Sequence, residues 1–152
     1  MEKTPPGWPR ISVAIVYDDP KAAIDWLCRA FGFETRLKVE GDDGRIVHSE
    51  LVFGDGVIMP AQSRGAASKD RDQSYLQSPK GLGGANTQSV MVYVDDVEAH
   101  CKRARDAGAK VVVEPKTSDY GDEYWSDRSY EAVDLEGHHW WFCQRLRTGK
   151  GT

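Results

Sequence analysis

Along the first part of the chain the apolar residues Ile11, Val13, Ile15 and Val16 form a β-branched run that closes at Val16-Tyr17-Asp18-Asp19-Pro20. Beyond it the spacing becomes helical. Ala23, Trp26, Leu27, Ala30 and Phe31 fall on one face, with Lys21, Asp25 and Arg29 opposite. Asp19 supplies an N-cap and Pro20 a proline at the first helical position, while Gly32 suits a left-handed C-cap. The pattern predicts a strand over 10–17 and a helix of about three turns.

Strand-like stretches follow at 33–39 and 46–53, separated by Glu40-Gly41-Asp42-Asp43-Gly44, and Gly54-Asp55-Gly56 turns the chain into Val57-Ile58-Met59. In the middle strand, alternation puts His48 and Glu50 on one face and Val47, Ser49, Leu51 and Phe53 on the other, which should pack on the helix. Residues 63–86 have no apolar periodicity and read as a linker, with local order expected only near Tyr75. A second strand at 89–94 then leads, through Asp95 or Asp96 as cap, into a helix with Val97, Cys101, Ala104 and Ala107 on its apolar stripe and its end at Gly108. A short strand at 110–113 stopped by Pro115, a loop at 117–122, a hairpin of 130–135 and 138–144 across Glu136-Gly137, and a polar tail from 145 complete the expectation.

Val94-Asp95-Asp96-Val97 is a near-copy of the first acidic turn. Aligning Asp19 with Asp96 matches the two apolar strands and places Ser12 and Ser89 at the same distance before the acid, so the chain reads as a duplicated small module. Module one spans about 10–62, the linker 63–86 and module two about 87–146, within a single domain covering 1–152. The proline-rich 4–9 segment precedes them as an extended arm, which Trp8 is expected to pin.

Composition narrows the partners. Against 20 basic residues stand 24 acidic ones, a net charge of −4 without a basic cluster, which disfavours nucleic acid. No stretch approaches the ~20 apolar residues of a membrane span, and the start lacks a leader pattern, so the expected location is the cytoplasm. The 3 cysteines lack metal or disulfide spacing and are expected to be buried thiols.

Two βαβββ modules, an α+β arrangement, resemble the vicinal oxygen chelate superfamily, which includes glyoxalase I, extradiol dioxygenases and bleomycin-resistance proteins. The resemblance rests on the acidic turn with Ala30-Phe31-Gly32-Phe33, on Phe53-Gly54-Asp55-Gly56, on Val94-Asp95-Asp96-Val97 with Asp106-Ala107-Gly108-Ala109, and on Asp134-Leu135-Glu136-Gly137-His138. It implies paired modules, within one chain or across a homodimer, that enclose a ligand cavity. Metal-using members carry a His seven residues before the turn Asp and a Glu about four residues after the hairpin Gly. Here those positions hold Ser12, Ser89, Trp141 and either Met59 or Pro60. A divalent ion needs three or four converging His or carboxylate groups. The resemblance therefore implies a non-metal relative with no cofactor, one that binds an apolar or aromatic small molecule, as a sequestering resistance protein does. The ligand contacts it implies are Ser12, Met59, Ser89 and Trp141.

The alternative is a metal-independent enzyme, a lyase, isomerase or related activity, with His48 and Glu50 as acid and base, weighed against a merely solvated strand face. His138 and His139 are strand neighbours that point to opposite faces, so they cannot share an ion, and His138 reads as stabilising the turn. Among the aromatics of the last hairpin, alternation makes Trp140 core when Trp141 faces the cavity. Asp19 and Asp96 are read as caps without chemistry.

Overall fold

The computed structural model describes residues 1–64 and 72–151, so the 65–71 part of the expected linker lies outside the described residues. The chain divides into two compact units, Met1–Gly83 and Gly84–Thr152.

The first unit runs β1 (Val13–Tyr17), α1 (Pro20–Phe31), β2 (Glu34–Glu40), β3 (Ile46–Phe53) and β4 (Gly56–Gln62). Its sheet has the order β1-β4-β3-β2, with β1 parallel to β4 and the other pairs antiparallel. The helix starts where the sequence places it, because the Asp19 carboxylate accepts from the Ala22 amide at 3.0 Å, and it stops where Gly32 adopts φ 82°. Ala23, Ile24, Leu27, Ala30 and Phe31 are buried against one face of the sheet, whose Ile15, Tyr17, Leu51 and Ile58 are buried as well. Ser49 shares that face and stays satisfied by donating to the Pro60 carbonyl at 2.6 Å. Strand alternation turns Ala14, Met59, Glu50 and His48 to the opposite, helix-free face.

The second unit repeats the plan with β5 (Val90–Tyr93), α2 (Val97–Asp106), β6 (Lys110–Asp119), β7 (Ser126–Val133) and β8 (His139–Arg147) in the order β5-β8-β7-β6. Asp96 is the cap of α2 and accepts from the amides of Glu98 and Ala99 at 3.0 Å. The helix buries Val97, Cys101 and Ala104, a narrow stripe, and an aromatic layer on the sheet supplies the rest of this core. Tyr130 stacks on Phe142 with centroids 5.2 Å apart, Phe142 is stacked with Trp140 at 6.4 Å, and all three are fully buried. His100 of α2 bonds the Tyr130 hydroxyl at 2.6 Å, so this deep phenol keeps a partner, and burial pushes its pKa well above the usual range.

Several boundaries differ from the sequence expectation. Pro115 does not stop β6, which continues to Asp119 and pairs Thr117, Ser118 and Asp119 with Arg128, Asp127 and Ser126. The strand lies at the sheet edge, and its register shifts between Val113 and Lys116, so the missing proline amide breaks no required ladder bond. Residues 145–147 are the end of β8, with Arg145 bonded to Asp127 and Arg147 to Asp119. Arg10 to Ser12 precede β1, and Ser89 precedes β5. Within 63–86, Ser78 caps a short 3₁₀ helix, Pro79–Leu82. Near Tyr75 it is Gln73 that is buried, with its side chain bonded to Arg64 at 2.6 Å. Among the described residues no helix is long and apolar enough to cross a membrane.

Cys101 and Cys143 are buried free thiols, and desolvation raises both pKa values, whereas Cys28 is half-buried beside Thr35. A thiol reacts through its thiolate. In a native-state titration with a chromogenic disulfide reagent, Cys28 is expected to react first and the other two only on unfolding. Three thiols reacting together at the unfolded-chain rate would contradict this burial.

Candidate functional site

Strand β8 sorts its aromatics by alternation. Trp140 and Phe142 lie under α2, and Trp141 points to the helix-free face, where it is half-buried. The ladder sets its neighbours there: Met91 of β5 and Glu131 of β7 are its direct register partners. Met91 is 55% exposed, so the row carries apolar surface that this unit leaves uncovered. The Glu131 carboxylate is hydrogen-bonded to His139 Nδ1 at 2.6 Å. Further along the same face Arg145 lies 5.4 Å from the ring centres of both Tyr93 and Trp125 and bonds the Tyr93 hydroxyl at 2.6 Å.

The same slot exists in the first unit. Val13 pairs with Ile58 as Val90 pairs with Trp140, so Met59, partner of Ala14, is the positional equivalent of Trp141, partner of Met91. Pro60 pairs with Ile15 on the helix side and is buried, so of the two residues Met59 is the one on the helix-free face. By the same ladders Glu50 is equivalent to Glu131. His48 Nε2 lies 2.8 Å from one Glu50 oxygen and Arg36 Nε 2.7 Å from the other. Arg36 also bonds the Gly7 carbonyl and sits 4.6 Å over the Trp8 ring, so Glu50 anchors the N-terminal arm through Arg36. Between that arm and the β3–β4 turn lies a cleft of about 570 Å³, lined in part by Trp8, Val52, Asp55 and Val57.

The hydrogen bond from His48, then the bond and charge of Arg36, hold the Glu50 carboxyl below the usual carboxylate range. A depressed folded-state pKa contributes stability above the unfolded value and loses it as pH falls through the folded one. The stability gap between wild type and Glu50→Gln is therefore expected to be constant above about pH 4.3 and to shrink below it. Urea midpoints at several acidic pH values check this, and a gap independent of pH would contradict it.

Ser12 is half-buried and Ser89 exposed, each one residue ahead of its strand, so neither belongs to the paired row that holds Met59 or Trp141. His138 is buried at the turn and donates its amide to Asp134, while His139 faces the other way. The sequence reading missed the Glu131–His139 pair. Its signal was the hairpin register, since a tight turn at Glu136-Gly137 sets Glu131 opposite Trp141 and diagonal to His139. Among the described residues no three His, Cys, Asp or Glu side chains converge to hold a metal, and a thioether and an indole at the equivalent slots do not fit a divalent ion.

The glyoxalase/bleomycin resistance protein/dioxygenase superfamily model matches residues 11–142. An uncharacterized protein of Mycobacterium bovis is 32% identical over 143 residues, covering 91% of this chain and 85% of its own, and one of Mycobacterium tuberculosis H37Rv is 32% identical with 91% and 76% covered. Of solved structures, TioX from Micromonospora sp. ML1 aligns with a TM-score of 0.67 at 32% identity, over 91% of this chain and 99% of its own. A glyoxalase/bleomycin resistance protein/dioxygenase family enzyme from Burkholderia phytofirmans PsJN aligns at 0.63 and 16% identity, over 89% and 97%, which is a likeness of fold.

Proposed function

This chain belongs to the glyoxalase/bleomycin resistance protein/dioxygenase superfamily, and from that membership we propose that it binds a flat apolar or aromatic small molecule without metal, in the manner of a sequestering protein. The observation that carries this reading is the pair of equivalent register slots filled by Met59 and Trp141 on the helix-free faces. Both groups are large, polarizable and apolar. Stacking on the indole would contribute about 0.5–1.5 kcal/mol beyond area burial. Ser89, exposed just ahead of β5, and Ser12 each have a hydroxyl that could orient such a ligand.

A screen of planar compounds by tryptophan fluorescence is expected to find quenching that Trp141→Ala weakens about tenfold, a loss of about 1.4 kcal/mol. Equal affinity in a folded Trp141→Ala protein would remove the assignment. Zinc, nickel, manganese and iron are expected neither to co-purify in stoichiometric amount nor to raise the melting temperature, as a tight native-state ligand must. One equivalent of bound metal would overturn the metal-free part of the proposal.

A homodimer belongs to the same proposal, supported by exposed Leu37, Val39, Met91 and Tyr93 on the sheets. Light scattering that finds only monomer at micromolar concentration would remove it.

The second reading is a metal-independent enzyme using His48 and Glu50. What favours it is the 2.8 Å bond between a half-exposed imidazole and a buried carboxylate. What weighs against it is Arg36, which already occupies the second Glu50 oxygen and ties it to the arm. Turnover of a defined compound that His48→Gln abolishes, with folding intact, would establish it.

A further inference from the structure

The two units hold their equivalent carboxylates differently. Both oxygens of Glu50 are engaged, one by His48 and one by the guanidinium of Arg36. Glu131 bonds His139 through one oxygen only, and among the described residues no Lys or Arg forms an ion pair with it. Its side chain is 17% exposed, so the second oxygen is partly desolvated, and among the described residues no side-chain donor bonds it. That oxygen belongs to the direct register partner of Trp141, and such pairs have their Cβ atoms about 4.5–5.5 Å apart. A ring stacked on the indole would therefore bring its edge within hydrogen-bonding reach of the carboxylate.

Resting on the flat-ligand reading above, we propose that Glu131, positioned by His139, is the polar anchor of the Trp141 site, and that the ligand class it selects is planar nitrogen heterocycles and aromatic amines that present a cationic N–H edge. Three effects favour that class. An N–H donor on a cation makes a charge-assisted bond to a carboxylate, roughly twice as strong as a neutral one. The same cation is attracted to the electron-rich face of the indole. A ligand without a donor would leave the Glu131 oxygen covered and unpaired, and an anionic one would meet it with like charge. In the first unit Arg36 abolishes this preference, because Glu50 already has its cation.

The test uses the full chain at neutral pH and moderate salt, titrated with proflavine, a planar cation with N–H edges, and with anthracene carboxylate, a planar anion of similar area. Proflavine is expected to bind at least tenfold more tightly. Glu131→Gln, which keeps the shape, should cut that ratio about tenfold by weakening proflavine and strengthening the anion. Glu131→Asp, which keeps the charge but draws it back, should fall between. Glu114→Gln, an exposed carboxylate on β6, controls for net charge and should leave the ratio unchanged. Trp141→Leu should weaken both probes. An unchanged ratio in Glu131→Gln, with both probes still dependent on Trp141, would overturn the anchor and leave the flat-ligand reading standing. Binding of neither probe in a Trp141-dependent way would overturn both.

Discussion

Trp140→Ala is expected to cost about 3–5 kcal/mol of folding stability, while Trp141→Ala costs less than half of that. The two are chain neighbours of one residue type, so composition and propensity cancel and the difference isolates the faces of β8. Trp140 is fully buried in the layer with Phe142 and Tyr130, and its loss opens a cavity that the narrow α2 stripe cannot refill. Trp141 is half-buried on the helix-free face, where truncation removes contacts without opening an enclosed void. Chemical denaturation of both variants reads the difference from their midpoints at constant slope. Equal losses would mean that the strand does not separate core from open face.

Asp134 carries the second large effect. Its carboxylate accepts from the amides of Glu136 and His138 at 3.0 Å and from the indole nitrogen of Trp140 at 3.1 Å, and it is itself buried. One side chain thus ties the β7–β8 turn to the aromatic core. Asp134→Ala would strand buried donors at about 1–3 kcal/mol for each one left unpaired, and relaxation of the turn should bring the total to about 2–4 kcal/mol. Asp134→Asn keeps one acceptor and should lose roughly half as much. In a Trp140→Phe background, which has no indole N–H, the Asp134→Ala penalty should fall by about 1 kcal/mol, as expected for groups in one network. Strict additivity across the double-mutant cycle would show that the bond to Trp140 contributes nothing.

Elements set by local chemistry were legible in the chain. The Asp19 cap, the Gly32 stop and the Glu136-Gly137 turn all act within a few residues, and the structure has them where the sequence puts them, while of Asp95 and Asp96 it is Asp96 that caps α2. Strand ends were less legible because they depend on position in the sheet. Pro115 reads as a stop in a central strand and is tolerated in an edge strand, and sequence alone does not say that β6 is the edge. Arg145 and Arg147 look like a solvated tail, yet Asp127 across the ladder and Asp119 on β6 pair with them at the end of β8. The same dependence governs the candidate site. Single-strand alternation sufficed to separate Trp140 from Trp141 and to pair His48 with Glu50, since each comparison stays within one strand. The Glu131–His139 bond and the Arg36–Glu50 bond cross between strands, so they follow only once the registers of β7 on β8 and β2 on β3 are known.

The most direct measurement follows the indole N–H signals of the 5 tryptophans in a proton–nitrogen correlation spectrum, assigned by single Trp→Phe variants, during titration with proflavine as a flat probe with N–H edges. Trp141 is expected to shift first and furthest in a saturable way, with Trp140 following weakly through its neighbour and Trp26, buried against α1's own core, unmoved. Saturable shifts confined to Trp8, in the arm that borders the cleft of the first unit, with Trp141 unchanged, would contradict the assignment of the ligand face.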